Sequence, residues 1–174
     1  MKYCQKCILP TSRPNIVLDK NGICCTRVLE KEQIDWSSRL AALENIFNDV
    51  KKINSPYDCV IPVSGGKDST WQVLKILDMG LKPLCVTWKT PARTEIGANN
   101  LSNLISLGAD HIDFTINPII EKKLSKISFI ETGIPALPMH LAIFSIPTRI
   151  ALCYKIPLIV WGENSAFEYG GISQ

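Results

Sequence analysis

Six consecutive residues, Ser64-Gly65-Gly66-Lys67-Asp68-Ser69, combine small, hydroxyl, basic and acidic side chains in a pattern suited to holding phosphate. They follow the apolar run Val60-Ile61-Pro62-Val63 and precede a stretch of helical periodicity. The loop therefore joins a strand to a helix that starts at Ser69 or just before it. Paired glycines let the backbone turn sharply and approach a ligand closely. The N–H groups opening the helix, with its dipole, attract an anion. Ser64 and Ser69 add hydroxyl donors and Lys67 a positive charge. Asp68 repels a phosphate unless a divalent cation lies between them, so the loop predicts a Mg²⁺–nucleotide ligand. A Walker A loop is excluded, because Ile61 and Asp68 stand where it needs Gly and Ser or Thr. A nucleophile elbow is excluded by Pro62. An ordinary glycine turn would account for Gly-Gly alone, but not for the whole hexapeptide.

The seven cysteines are a second source of chemistry. An odd number leaves no complete disulfide set. Cys59, Cys85 and Cys153 sit in apolar runs and read as small core hydrophobes. Cys4, Cys7, Cys24 and Cys25 crowd the first 25 residues. Cys4-Gln5-Lys6-Cys7 has the spacing that brings two thiolates to one metal ion. Asn21-Gly22 then supplies a hairpin turn ahead of Cys24-Cys25. The layout is that of a zinc ribbon, with Arg27 where the fourth sulfur is expected. Adjacent strand residues point to opposite faces, so Cys24 and Cys25 do not readily share an ion. A metal-free cysteine hairpin is the alternative.

The elements that must position these groups follow from periodicity. Trp36, Leu40, Leu43, Phe47, Val50 and Ile53 recur at threes and fours, predicting a linking helix capped by Asp35. Strands are expected over 57–63, 84–88, 111–115 and 157–161. Helices are expected over 69–79, 95–107, 117–130 (Asn117 capping, Pro118 first) and 141–154, the last kinked or divided by Pro147. Continuous apolar strands alternating with helices predict an α/β fold, a parallel sheet with helices on both faces. The expected division is a cysteine-rich hairpin over 1–30, a linking helix over 31–56 and a nucleotide-binding domain over 57–174.

Composition narrows the function. Apolar residues make up 46% and charged residues 20%, as in a globular chain, and the net charge of +3 is too mild for a nucleic-acid binder. The longest uncharged stretch, 132–148, holds three prolines and falls short of a membrane span, so no membrane insertion is expected. The N-terminus lacks a signal peptide's apolar core, which places the chain in the cytoplasm. Among other residues, His111 and Trp161 read as structural, Trp161 in the core. His140 is a weaker substrate-loop candidate, for which a structural role is the expected reading. No cysteine sits on a glycine-flanked elbow, so no glutaminase-type thiol nucleophile is expected in the chain.

The hexapeptide resembles the SGGxDS signature of the PP-loop ATP pyrophosphatase superfamily. That resemblance implies that Ser64, Gly65, Gly66, Lys67, Asp68 and Ser69 hold the pyrophosphate end of ATP, with Mg²⁺ on Asp68. It implies a carbonyl oxygen attacking the α-phosphate to give an adenylate, from which a nucleophile displaces AMP. Thr90-Pro91-Ala92-Arg93-Thr94-Glu95-Ile96-Gly97, Trp161-Gly162-Glu163-Asn164, Glu168-Tyr169-Gly170-Gly171, the cysteine hairpin and Ile34-Asp35-Trp36 look like the N-acetyl sugar amidotransferases of bacterial surface-polysaccharide (lipopolysaccharide O-antigen) synthesis. Members of that family turn a sugar N-acetyl group into an acetamidino group, with ATP and with ammonia from a separate glutaminase subunit. The implied partners here are that subunit and a nucleotide-linked N-acetyl sugar. Zn²⁺ on Cys4, Cys7, Cys24 and Cys25 is implied too, although Cys25 and Arg27 depart from the family's second CxxC. Family members run longer, so a C-terminally incomplete domain is expected.

With the fourth strand beside the first, as in the superfamily, Gly162, Glu163 and Asn164 emerge next to the loop, at the switch point of the sheet. Thr87 and Trp88 then lie near adenine and ribose. Lys67 and Arg93 are the expected positive charges, and Asp68 and Glu163 the groups that hold Mg²⁺ or steer ammonia. Two rivals remain, a PP-loop tRNA-modifying thiolase and a truncated nucleotide-binding module without turnover.

Overall fold

The computed structural model describes residues 1–12, 16–24 and 34–163, which fall into two compact units: the described residues up to Glu44 together with Glu163, and Asn45–Gly162. Cys25, Arg27, Asn164 and the 168–171 motif lie outside the described residues.

In the first unit, Cys4 N–H donates to Leu9 O and Ile8 N–H to Cys4 O, closing a knuckle around the CxxC. Single antiparallel bridges join Tyr3 to Pro10 and Leu18 to Cys24. The Asp19 carboxylate accepts from the N–H groups of Asn21 and Ile23 and organises the predicted turn. Gly22 supplies its positive φ of 73°.

Helix α1, Trp36–Lys52, starts where Asp35 accepts from Ser38 N–H, as its sequence predicts. Only Phe47 and Val50 are buried on it; Trp36, Leu40, Leu43 and Ile53 are exposed, so the predicted apolar stripe is covered over its last turns alone.

The second unit carries the sheet. Strands β1 (Cys59–Pro62), β2 (Pro83–Trp88) and β3 (Asp110–Phe114) pair in parallel in the order β1-β2-β3. Their crossovers are helices α2 (Lys67–Asp78) and α3 (Glu95–Ile105). Helices α4 (Pro118–Thr132) and α5 (Leu137–Tyr154) follow. The predicted fourth strand is one parallel bridge, Val60 to Ile159. Val60 N–H donates to Leu158 O and Val160 N–H to Val60 O. Pro157, which has no N–H to give, precedes the bridge. The segment still lies beside β1, on the edge away from β2, as expected.

Alternation along the strands separates two cores. Cys59, Ile61, Val63 and Cys85 face one side and pack with Phe47 of α1, Val73 and Ile76 of α2, and Leu101 and Leu104 of α3. Val60, Leu84 and Val86 face the other side and pack with Ala142, Ile146 and Ala151 of α5. Helices thus cover both faces of a parallel sheet, the predicted α/β class.

Several expectations change in the helices. Asn117 caps α4 through Ile119 and Ile120 N–H, with Pro118 leading, as predicted. Helix α5 begins four residues early because Pro138 falls in its first turn, where a missing N–H costs nothing. Pro147 does not divide it; one helix runs through, with Pro147 buried. His140 is therefore helical, its Nδ1 2.9 Å from Ala136 O, rather than in a loop. Cys153 is exposed, not core. Two residues on from buried Ala151, it is rotated about 200° to the opposite side of the helix. Trp161 is exposed and leans on Phe144, outside the core. By length and composition α5 could cross a membrane, but in this fold its buried residues lie against the sheet.

Candidate functional site

The loop over 64–69 leaves the carboxyl end of β1 and enters α2, which starts at Lys67 with Gly66 as its cap. Gly65 has φ of 81°, a backbone that favours glycine. A Cβ there would also stand 2.9 Å from the backbone nitrogen of Leu101 on α3. The glycine is thus demanded twice, by conformation and by contact. Gly66 N–H reaches Ser64 Oγ at 3.4 Å. Gly66 O accepts from Thr70 N–H at 3.0 Å, from Ser69 Oγ at 3.0 Å and from Thr70 Oγ1 at 2.9 Å, which fixes the first turn. A glycine cap has no side chain to satisfy the N–H groups of that turn, so they remain for an anion.

Lys67 and Asp68 stand in solvent, their side chains 88% and 84% exposed, joined by a 2.7 Å ion pair. An exposed hard carboxylate beside the free N–H groups suits Mg²⁺ brought in by a nucleotide. Gln72, one turn further on and only 8% exposed, donates from Nε2 to Val160 O at 3.0 Å. A Cβ on Gly162 would stand 3.0 Å from Gln72 Oε1. The structure therefore brings together the loop's helix and Gly162, on the two sides of the β1/158–160 junction where chain order reverses. Glu163 follows Gly162 directly, is exposed and belongs to the other compact unit.

No protein-family model matches the chain, and no curated protein matches it. Among solved structures, NMN synthetase from Francisella tularensis is similar, with a TM-score of 0.55 at 22% identity over 72% of this chain. The fold is PP-loop-like. This chain spans 53% of that structure's length. A predicted subunit of a tRNA methyltransferase from Methanocaldococcus jannaschii is similar over 67% of this chain and 58% of its own, at 20% identity and a TM-score of 0.46.

Along the same edge of this PP-loop-like sheet, the residues near β2 and β3 are engaged with one another. Arg93 makes a two-pronged ion pair with Asp113, at 2.6 and 2.8 Å. That bond raises the Arg93 pKa and lowers that of Asp113. Thr87, a sequence candidate for adenine or ribose, is buried and donates its hydroxyl to Val63 O at 2.9 Å. His111 Nε2 lies 2.9 Å from Thr87 Oγ1, and burial lowers its pKa. With the hydroxyl proton spent on Val63, His111 is the donor in that pair. Trp88 is half-buried, and its Nε1 has no hydrogen-bond partner among the described residues. Sequence reasoning missed Gln72 and Asp113. The signal for Gln72 was a polar residue four before buried Ile76, on the same helix face.

In the cysteine hairpin the Sγ atoms of Cys4, Cys7 and Cys24 lie within 4.8 Å of one another. Cys4 Sγ accepts from the N–H groups of Cys24, Lys6 and Cys7 at 3.2, 3.4 and 3.4 Å. The Cys24 N–H above all pulls its pKa down to about 6, against burial. Cys7 is the reverse case. Leu9 N–H favours its thiolate, but the Cys24 sulfur 3.2 Å away and burial push it up. Three convergent sulfurs with N–H donors are a donor set that fits Zn²⁺.

Proposed function

We propose that the chain is an ATP-dependent synthetase of the AMP- and PPi-forming kind, acting on an N-acetylated sugar. The observation that carries the ATP-cleaving part is the uncapped first turn of α2, with Lys67 and Asp68 at the β1/158–160 switch point. In this reading the N–H groups opening α2 and the Ser64 hydroxyl hold the pyrophosphate end of ATP, with Ser69 joining them as its hydroxyl turns from Gly66 O to the phosphate; Lys67 balances the charge, and Asp68 receives the Mg²⁺. The acetamido oxygen attacks the α-phosphorus and PPi leaves. Ammonia then displaces AMP to give the acetamidino sugar. The protein supplies position and charge stabilisation and no nucleophile of its own. Arg93 acts through Asp113, holding the end of β3 to the loop after β2. The sugar and the glutaminase partner rest on the sequence resemblance. Zn²⁺ on Cys4, Cys7 and Cys24 would serve the hairpin's structure.

A tRNA thiolase needs a reactive thiolate near the loop. Cys59 and Cys85 are fully buried, and burial pushes both up to about 12, which opposes that reading. The test is PPi release from Mg²⁺·ATP with ammonium and a panel of UDP- and CMP-linked N-acetyl sugars. PPi release that depends on one sugar, and falls at least ~100-fold in Asp68→Ala, is expected. Full turnover in Asp68→Ala contradicts the site. AMP release dependent on tRNA instead of sugar favours the thiolase, and ATP binding without turnover the bare binding module.

A further inference from the structure

Gln72 occupies a position where a leucine would be the ordinary choice. It lies on the sheet-facing side of α2 with Val73 and Ile76, 8% exposed. Its amide orientation is fixed, because Val160 O accepts and so must meet Nε2. That leaves Oε1 buried with no hydrogen-bond partner among the described residues, 3.0 Å from where a Cβ on Gly162 would stand. A buried acceptor without a partner is a cost, and a retained cost of this kind calls for a reason. The reason is in what the amide connects. Val160 is tied to β1 by its N–H and to α2 by its carbonyl. Helix α2 is the helix whose first turn forms the anion site. Gln72 is the described side chain that bonds this helix to the opposite wall of the crevice.

We propose that Gln72 is a positioning residue: its amide latches the 160–162 backbone to the phosphate-binding helix and so sets the width of the switch-point crevice. The inference rests on the ATP-cleaving reading above, since the width matters where the α-phosphate meets its attacking group. Gly162 is the other half of the latch. A Cβ there would meet Gln72 Oε1 at 3.0 Å, so the amide must give way and its bond to Val160 O is disturbed.

The test compares the wild-type protein with Gln72→Leu, Gln72→Ala, Gly162→Ala and the double variant Gln72→Ala/Gly162→Ala. Gln72→Leu fills the same space without the hydrogen bond. It should lower kcat for PPi release about tenfold while KM for ATP shifts less than about threefold, the loss of one hydrogen bond that acts on geometry. Its thermal midpoint should hold or rise, because the unpaired acceptor is gone. Gly162→Ala should lower kcat on its own but cost nothing further in Gln72→Ala, where the clash has been removed. Full turnover in Gln72→Leu, additive losses in the double variant, or a kcat loss that tracks a falling thermal midpoint each overturn the latch. A second readout does not need turnover: amide exchange over 158–162 should quicken in Gln72→Leu while exchange over 83–88 stays the same. If the wild-type protein cleaves no ATP, the synthetase reading fails and exchange alone decides the latch. Unchanged exchange over 158–162 overturns it.

Discussion

The carboxyl edge of the sheet is closed at one end and open at the other. At the β2–β3 end, Arg93 and Asp113 spend their charges on each other, and His111, Thr87 and Val63 O form a chain of hydrogen bonds. At the β1 end, the Lys67–Asp68 pair stands in solvent, Gly66 caps its helix with no side chain, and Gln72 Oε1 has no partner among the described residues. Both ends belong to one unit and are built from the same strand-to-helix turns. The β2–β3 end shelters its ion pair, 17% and 30% exposed, while the β1 end leaves its pair in solvent beside an uncapped helix turn, the contrast that the proposed ligand site requires. Trp88 near the closed end departs from this, its Nε1 having no partner among the described residues.

Two substitutions break this contrast from opposite sides. The larger effect belongs to Gly65→Ala, which meets both an unfavourable φ and the Leu101 backbone at 2.9 Å. Left-handed backbone and overpacking together cost about 2–5 kcal/mol. The expected outcome is loss of Mg²⁺·ATP affinity by about 30-fold or more, with a lowered thermal midpoint, read by calorimetry. The smaller effect belongs to Asp113→Asn. Arg93 holds the Asp113 carboxyl below the usual carboxylate range. Its contribution to stability is therefore complete above the unfolded value of about 3.9 and is lost as pH falls through the lower, folded value. Denaturant titrations should show Asp113→Asn about 1 kcal/mol less stable at neutral pH, the gap closing below about pH 4. Affinity for Mg²⁺·ATP should change less than about twofold. A large affinity loss in Asp113→Asn, or none in Gly65→Ala, would reverse the assignment of the two ends.

What the sequence made legible was local. The 64–69 loop, the Asp35 and Asn117 caps and the Asn21-Gly22 turn each carry their geometry within a few residues, and the structure places them as read. The neighbour relation of β1 and the 158–160 segment followed from the resemblance, not from spacing. What stayed hidden was pairing across distance. Nothing near Arg93 announces Asp113 twenty residues on, and nothing near Thr87 says that its hydroxyl belongs to Val63 and His111. The misread Cys153 and Trp161 have a common cause. Both sit in apolar stretches, and apolar character alone does not say which side of an element meets the sheet.

The central claim is that the open end binds nucleotide and the closed end does not. Amide exchange of the protein with and without Mg²⁺·ATP reads both ends in one experiment. Slowed exchange over 65–70, with 87–93 and 110–114 unchanged, is the predicted result. Protection confined to 87–93 and 110–114, or no protection anywhere at saturating Mg²⁺·ATP, would contradict it.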